Sequence, residues 1–171
     1  MTVATLNEAK GVERIPKVLR EITLGTEDFI WVIVGDGVMK EALADNIDRF
    51  GLSNKVIWIR DKVNHEDILH LFNCTDYYLM LHRNSIFDFA TIEAMAHSNI
   101  PLLSYVGGNK EVIKNENGFY LEEESNDIRI VEIDKKKNIL SDKNKQLVKE
   151  NFSEYASLKR YSELISLISE I

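Results

Sequence analysis

Lys10, Arg83, Asp88 and Glu93 are the side chains whose types and surroundings suit chemistry on an anionic, hydroxyl-bearing ligand. The stretch Phe87-Asp88-Phe89-Ala90-Thr91-Ile92-Glu93-Ala94-Met95-Ala96 follows the apolar run Tyr77-Tyr78-Leu79-Met80-Leu81 and precedes a second strand-like run, Pro101-Leu102-Leu103-Ser104. A strand therefore feeds a helix at this point. A helix N-terminus at the carboxyl end of a parallel strand is an anion site, because its free N–H groups point outward and its dipole favours negative charge. Glu93, on the second turn, is spaced to accept hydrogen bonds from hydroxyls of whatever carries the anion. Phosphates and ribose hydroxyls, as in a sugar nucleotide, would meet both.

The other candidate groups also follow strand-like runs. Lys10-Gly11 comes after the first run, with its ammonium near the start of a helix. Gly35-Asp36-Gly37 follows Phe29-Ile30-Trp31-Val32-Ile33-Val34, and Asp36 is placed to assist the cap of the next helix. Gly107-Gly108-Asn109-Lys110-Glu111 follows Leu102–Ser104, and paired glycines allow close approach of a ligand. Ser85-x-x-Asp88 has the form of a capping box. Asp88 in the first helical turn would repel a bound phosphate unless it points aside, and Arg83 is the nearest cation to offset it. His82 ends a strand and borders the same edge.

Read together, these motifs resemble the carboxyl-terminal, donor-binding domain of retaining glycosyltransferases of the family-four, group 1 type, which have the two-domain GT-B fold. The resemblance rests on Lys10-Gly11, Gly35-Asp36-Gly37, Glu93-Ala94-Met95-Ala96, Gly107-Gly108-Asn109-Lys110-Glu111 and Asn117-Gly118, in order over residues 1 to about 121. It implies a donor site with Glu93 on the ribose, and Lys10 with the helix start at Phe87, Asp88, Phe89 and Ala90 on the diphosphate. Arg60 and Gly35, Asp36 and Gly37 would flank the base, while Ser85, Gly107 and Gly108 would face the sugar. It also implies a UDP- or GDP-linked donor sugar, no cofactor and no metal. The acceptor-holding N-terminal domain would lie outside this chain, so residues 1–171 alone would bind donor without transferring it. Peripheral membrane association of the full-length enzyme belongs to the same expectation.

The chain departs from that pattern in three places. Thr5 stands where an arginine is usual, Ser85 where the first of two glutamates is usual, and Ile86-Phe87-Asp88 where Gly-Phe-Gly is common. The loop Arg83-Asn84-Ser85-Ile86-Phe87-Asp88 reads as a subgroup variant. Two other classes fit the motifs: a non-catalytic nucleotide-sugar-binding subunit, and a sugar-nucleotide epimerase of the same fold.

Composition bounds the remainder. A chain of 171 residues with 44% hydrophobic and 29% charged residues forms one globular domain with a real core. A net charge of −7 argues against nucleic-acid binding. The single cysteine, Cys74, excludes an internal disulfide, and its apolar neighbours Leu71 and Phe72 predict a buried thiol. The four histidines have no metal-ligand spacing. Without a membrane-length apolar run or a signal peptide, the cytoplasm is the default compartment.

The elements that must position these groups alternate regularly. Strands are expected at residues 2–6, 29–34, 56–59, 77–81, 102–104 and 119–121. Helices are expected at about 11–22, 39–50, 65–72 and 89–97, with a helical turn at 109–113. Ile15, Val18, Leu19 and Ile22 stripe the first helix; Met39, Leu43, Ile47 and Phe50 stripe the second. The alternation predicts an α/β fold, a Rossmann-like doubly wound parallel sheet closed by C-terminal helices. Residues 122–137 form a variable connector, with Ile128, Ile130, Val131 and Ile133 suggesting an edge strand. Residues 138–171 carry two helices. The second presents Tyr155, Leu158, Tyr161, Leu164, Ile165 and Ile168, more apolar positions than one narrow face requires, which predicts self-association through that helix.

Overall fold

The β-branched and aromatic runs are too short and too uniformly apolar for helices, and each is separated from the next by one amphipathic stripe. That pattern buries a parallel sheet between helices. The computed structural model describes residues 1–169 apart from Glu27, Asn115 and Ser125; the side chains of Glu163, Leu164 and residues 166–169 also lie outside the description. The Leu164 and Ile168 positions of the terminal stripe therefore fall outside the described residues.

Among the described residues, six strands alternate with helices: β1 Thr2–Val3, α1 Ile15–Ile22, β2 Trp31–Val34, α2 Lys40–Arg49, β3 Val56–Ile59, α3 His65–Asn73, β4 Tyr77–Met80, α4 Phe89–Ala96, β5 Ile100–Leu103, α5 Asn109–Val112 and β6 Phe119–Tyr120. Then come α6 Ile130–Ile133, α7 Lys137–Asn151 and α8 Glu154–Ser169. All strand pairs are parallel. β2 lies between β1 and β3, with Ile33 facing both Thr2 and Trp58. β5 lies between β4 and β6, with Leu102 facing both Leu79 and Phe119.

The two three-stranded sheets meet along β1 and β4. The Met1 nitrogen donates to the Tyr77 carbonyl at 2.6 Å, and the Leu79 N–H donates to the Met1 carbonyl at 2.9 Å. Two bonds to residues two apart are the pattern of a parallel pair. The strand order across this seam is 3-2-1-4-5-6, and it reverses direction at β1/β4. The Thr2 hydroxyl adds a bond to the Leu79 carbonyl at 2.7 Å.

The predicted stripes face inward. Ile15, Val18, Leu19 and Ile22 of α1 are buried, as are Leu43 and Ile47 of α2 and Phe72 of α3. They form a continuous core with β1, β2, β4 and β5.

Two expectations fail for local reasons. The Ile128–Ile133 patch is not an edge strand; Ile130 to Ile133 make a helical turn. Ile130 and Ile133 are buried and Val131 is exposed, a spacing of three that an alternating strand would place on opposite faces. Cys74 is exposed rather than buried. It is the C-cap residue of α3, beyond the turn that carries Phe72 inward. Tyr155, Leu158, Tyr161 and Ile165 of α8 are exposed. Among the described residues, no helix is long and apolar enough to cross a membrane.

Candidate functional site

The candidate loops leave the sheet at the carboxyl ends of the strands, and the point where strand order reverses is where such sheets open a ligand crevice. The loop after β1 is shaped by its own residues. The Asn7 side chain accepts the Lys10 backbone N–H at 3.1 Å and fixes a 3-10 turn over Glu8–Lys10. Gly11 follows at φ +60, and a Cβ there would sit 2.1 Å from the Leu81 carbonyl oxygen. Glycine thus serves both the left-handed turn and the close approach. The Arg83 N–H donates to the Ala9 carbonyl at 2.9 Å. These contacts set Lys10 directly against the exit of β4.

There the Lys10 ammonium lies 3.2 Å from Asp88 Oδ1 and 3.4 Å from His82 Nε2. Asp88 Oδ2 accepts from the Tyr78 hydroxyl at 3.1 Å and from the Thr91 hydroxyl at 2.8 Å. His82 is buried, 3.8 Å from Asp88 Oδ1, and its Nδ1 has no hydrogen-bond partner among the described residues. Burial pushes the His82 imidazole below its ordinary value of 6.5, with Asp88 opposing and Lys10 adding to the shift. Burial also pushes the Tyr78 hydroxyl well above its usual range, so it acts as a neutral donor.

This arrangement corrects three sequence expectations. Asp88 occupies the N-cap position of α4, but its side chain makes no cap bond; it turns inward to Lys10, Tyr78 and Thr91. The capping-box reading of Ser85 and Asp88 is therefore wrong. Arg83 does not offset Asp88. Its guanidinium pairs with the buried Glu13 carboxylate and donates to the Glu8 carbonyl at 2.8 Å. Asp36 does not cap α2 either, since its carboxylate accepts the adjacent Gly37 N–H at 2.8 Å.

Glu93 stands half-exposed on α4 with its Oε1 2.8 Å from His65 Nε2, at the first residue of α3. Asn64 sets that start by accepting the Asp67 N–H at 2.8 Å. On the other side of the seam, Gly35 accepts the Trp58 indole N–H at 2.9 Å, and the exposed Arg60 guanidinium stacks 4.2 Å over the Trp58 ring. A cavity of about 330 Å³ opens there, lined by Thr5, Gly35, Asp36, Arg60 and Val63 among others.

The paired glycines approach backbone rather than open space. A Cβ on Gly107, at φ +44, would meet the Ser85 carbonyl oxygen at 1.7 Å, and one on Gly108 would meet that of Ile86 at 2.0 Å. The Gly108 N–H donates to the Ser85 carbonyl at 3.1 Å. Phe87 packs edge-on to Phe89 at 5.3 Å and against Phe152 at 5.9 Å, with Phe89 exposed and Ala90 half-buried. So the fold brings Lys10 to Asp88, Ser85 to Gly107 and Gly108, and Arg60 to Gly35, but separates Arg83 from Asp88.

Sequence reasoning did not single out Tyr78, Thr91, Glu13 or His65, and it gave His82 only a bordering place. The hydroxyls and Glu13 sit inside apolar periodicity that signals only burial. His82-Arg83 directly after a strand was the one usable signal. Among the described residues, no group of three or more potential ligands is arranged to hold a metal.

A doubly wound parallel sheet with its loops gathered at the β1/β4 switch point defines a Rossmann-like domain of the GT-B glycosyltransferase kind. The chain belongs to the glycosyl transferases group 1 family, whose model matches residues 1–159. A similar curated protein is an uncharacterized glycosyltransferase of Methanocaldococcus jannaschii, 30% identical over 120 residues, which are 70% of this chain and 30% of that protein.

Among solved structures, Anabaena HepE in complex with UDP and glucose superposes with a TM-score of 0.75 at 18% identity, over 96% of this chain and 48% of that one. The C-terminal domain of the Francisella tularensis glycosyl transferase group 1 family protein LpcC gives 0.70 at 17% identity, over 90% and 85%. The catalytic domain of the Helicobacter pylori cholesterol-α-glucosyltransferase gives 0.73 at 12% identity, over 89% and 98%. This chain thus spans about half the length of the Anabaena protein and under a third of the archaeal one.

Proposed function

We propose that this chain is the donor-binding half of a retaining glycosyltransferase and holds a nucleoside-diphosphate sugar across the β1/β4 switch point. The observation that carries the reading is the meeting of Lys10 with the start of α4, which gathers a cation and a helix N-terminus from loops 78 residues apart in sequence. An ammonium beside free amides suits a diphosphate. Glu93, one turn farther along, accepts ribose hydroxyls, and the cavity at Thr5, Gly35, Asp36 and Arg60 receives the base. Ser85, Gly107 and Gly108 border the sugar, and Phe87, Phe89 and Ala90 form the lip of the helix start.

Similar proteins that bind UDP with glucose favour a uridine donor, with guanosine as the other candidate. Preorganised positive charge at the diphosphate would stabilise the leaving group. The acceptor would sit on a second domain, and α8 carries the exposed apolar stripe Tyr155, Leu158 and Tyr161 through which that domain, or a second copy of the chain, would pack.

A second reading is a binding subunit without turnover. Its support is that Ser85 offers no carboxylate and that Lys10 is already paired with Asp88.

A thermal-shift panel of UDP-glucose, GDP-mannose and uridine tests the donor class. A ligand at about 100 times its Kd stabilises by about 2.7 kcal/mol, which for a domain of this size raises Tm by about 5–10 °C. A panel in which no nucleotide sugar moves the melting curve sinks the reading. Transfer to an acceptor by the full-length enzyme, with the anomeric configuration of the product, separates the two readings and tests retention.

A further inference from the structure

The donor reading above gives no role to the buried imidazole of His82. His82 lies inside the protein, against the two groups that would respond to a diphosphate, with one ring nitrogen unpaired among the described residues. We propose that His82 is a positioning residue that takes over Asp88 when Lys10 moves to the diphosphate, so that donor binding takes up one proton onto the imidazole. The inference rests on the reading of Lys10 as a diphosphate ligand.

The geometry sets the exchange. In the free protein, Asp88 Oδ1 is held by the Lys10 ammonium at 3.2 Å, and His82 Nε2 is the next nitrogen at 3.8 Å. The same ammonium lies 3.4 Å from His82 Nε2, which makes that nitrogen an acceptor and keeps the ring neutral. Lys10 comes from the loop after β1 and is partly exposed, whereas His82 and Asp88 are buried. Only Lys10 can therefore turn outward to a ligand.

Once it turns, Asp88 keeps the Tyr78 and Thr91 hydroxyls on Oδ2 but loses its cation on Oδ1. A buried carboxylate without a counter-charge is costly. His82 is the adjacent group able to supply one. A proton from solvent adds to Nε2, the imidazolium faces Asp88 Oδ1, and the ammonium pairs with the phosphate oxygens. No bond other than N–H forms.

The groups facing His82 agree in sign. Lys10, from the 3-10 turn, disfavours its protonation and departs; Asp88, ahead of α4, favours it and stays. Tyr78 of β4 remains a neutral donor. The Ser104 hydroxyl, following β5, donates to the His82 backbone carbonyl at 2.7 Å and carries no charge to the ring. Arg83 is turned away to Glu13 and Glu8. The diphosphate adds negative charge and favours the imidazolium further.

The test is titration calorimetry with UDP-glucose at pH 7.5 in buffers of different ionisation enthalpy. A diphosphate diester has no proton of its own to exchange in this range, so the slope of observed enthalpy against buffer enthalpy counts protons taken up by the protein. We expect a slope of about 0.3–1 proton for UDP-glucose, near zero for uridine, and near zero for UDP-glucose with Asp88→Asn or His82→Gln. The slope should persist in His65→Gln, because that ring faces Glu93 and not Asp88. UDP-glucose binding with zero slope in wild type overturns the proton coupling and leaves the donor reading standing. A slope abolished by His65→Gln overturns the assignment to His82. Failure of UDP-glucose and GDP-mannose to bind the folded chain overturns both.

Discussion

Replacing Asp88 by asparagine removes the charge that holds Lys10 in the free protein, and it should tighten a nucleoside-diphosphate ligand. At the observed 3.2 Å, the Coulomb attraction of the pair at an effective dielectric of about 20 is about 5 kcal/mol. Desolvation and hydrogen bonding to water offset most of it, and a charged hydrogen bond retains about 1.5–3 kcal/mol net. A diphosphate must overcome part of that hold to recruit the ammonium, and it also faces repulsion from Asp88 across roughly 6 Å, worth about 1.5–3 kcal/mol per charge at a dielectric of about 20–40.

After screening, the expected gain for Asp88→Asn is about 1–2 kcal/mol, or about 5–30-fold in Kd for UDP-glucose. Uridine, lacking phosphate, should bind within about twofold of wild type. The fold should tolerate the change. The Tyr78 hydroxyl already reaches the Val3 carbonyl at 3.3 Å, and asparagine keeps one acceptor for Thr91 or Lys10. A loss of about 1 kcal/mol, seen as a Tm lower by about 2–4 °C, is expected. Calorimetric titration at two salt concentrations measures the affinities. Equal or weaker UDP-glucose binding by a folded Asp88→Asn protein would refute the competition between Asp88 and phosphate for Lys10.

Four further outcomes are expected. Glu93→Gln should weaken uridine and UDP-glucose alike by about 1.5–3 kcal/mol, with melting unchanged, because among the described residues the carboxylate is bonded to His65 alone; unchanged uridine affinity removes Glu93 from the ribose. Arg83→Ala should lower the stability obtained from urea unfolding by about 1–3 kcal/mol, since it strands the buried Glu13, while nucleotide affinity holds; the reverse pattern would return Arg83 to the ligand. Gly107→Ala should cost more than about 2 kcal/mol in chemical denaturation, because its Cβ would overlap the Ser85 carbonyl at 1.7 Å; a neutral result would mean the two loops separate freely. Because burial holds His82 below its ordinary 6.5, the unfolded chain binds more protons there than the folded one. That contribution to stability is complete above pH 6.5 and is lost as pH falls below it, so the difference in urea midpoints between pH 7.5 and 5.5 should shrink in His82→Gln.

The sheet was legible because each strand is a short apolar run and each helix has a stripe of period near 3.6, as α1 illustrates with Ile15, Val18, Leu19 and Ile22 all buried. The failures came where one residue served two periods. Ile128 to Ile133 fits a strand or a helical turn until the core selects Ile130 and Ile133. At the site, the loops were legible from glycines and charges beside strand ends. Charge pairing was not. Arg83 is five residues from Asp88 but pairs with Glu13, seventy positions away, because the Ala9–Arg83 bond brings the two loops into register. The glycines after β5 likewise answer to the carbonyls of Ser85 and Ile86, contacts that composition cannot reveal.

The seam between β1 and β4 has a consequence for when the protein becomes competent. Lys10 and Asp88 lie on opposite sides of it, and the seam itself is short, with residue 1 bonded to residues 77 and 79. Each sheet of three strands can hold its own ladder, but neither alone possesses the paired ammonium and carboxylate. Any partly opened state in which the halves part therefore loses the proposed diphosphate cradle before it loses most of its secondary structure. A bound nucleotide would act as a clasp across the seam, and hydrogen exchange at Leu79 should slow on binding more than exchange at Val32, which sits within one ladder.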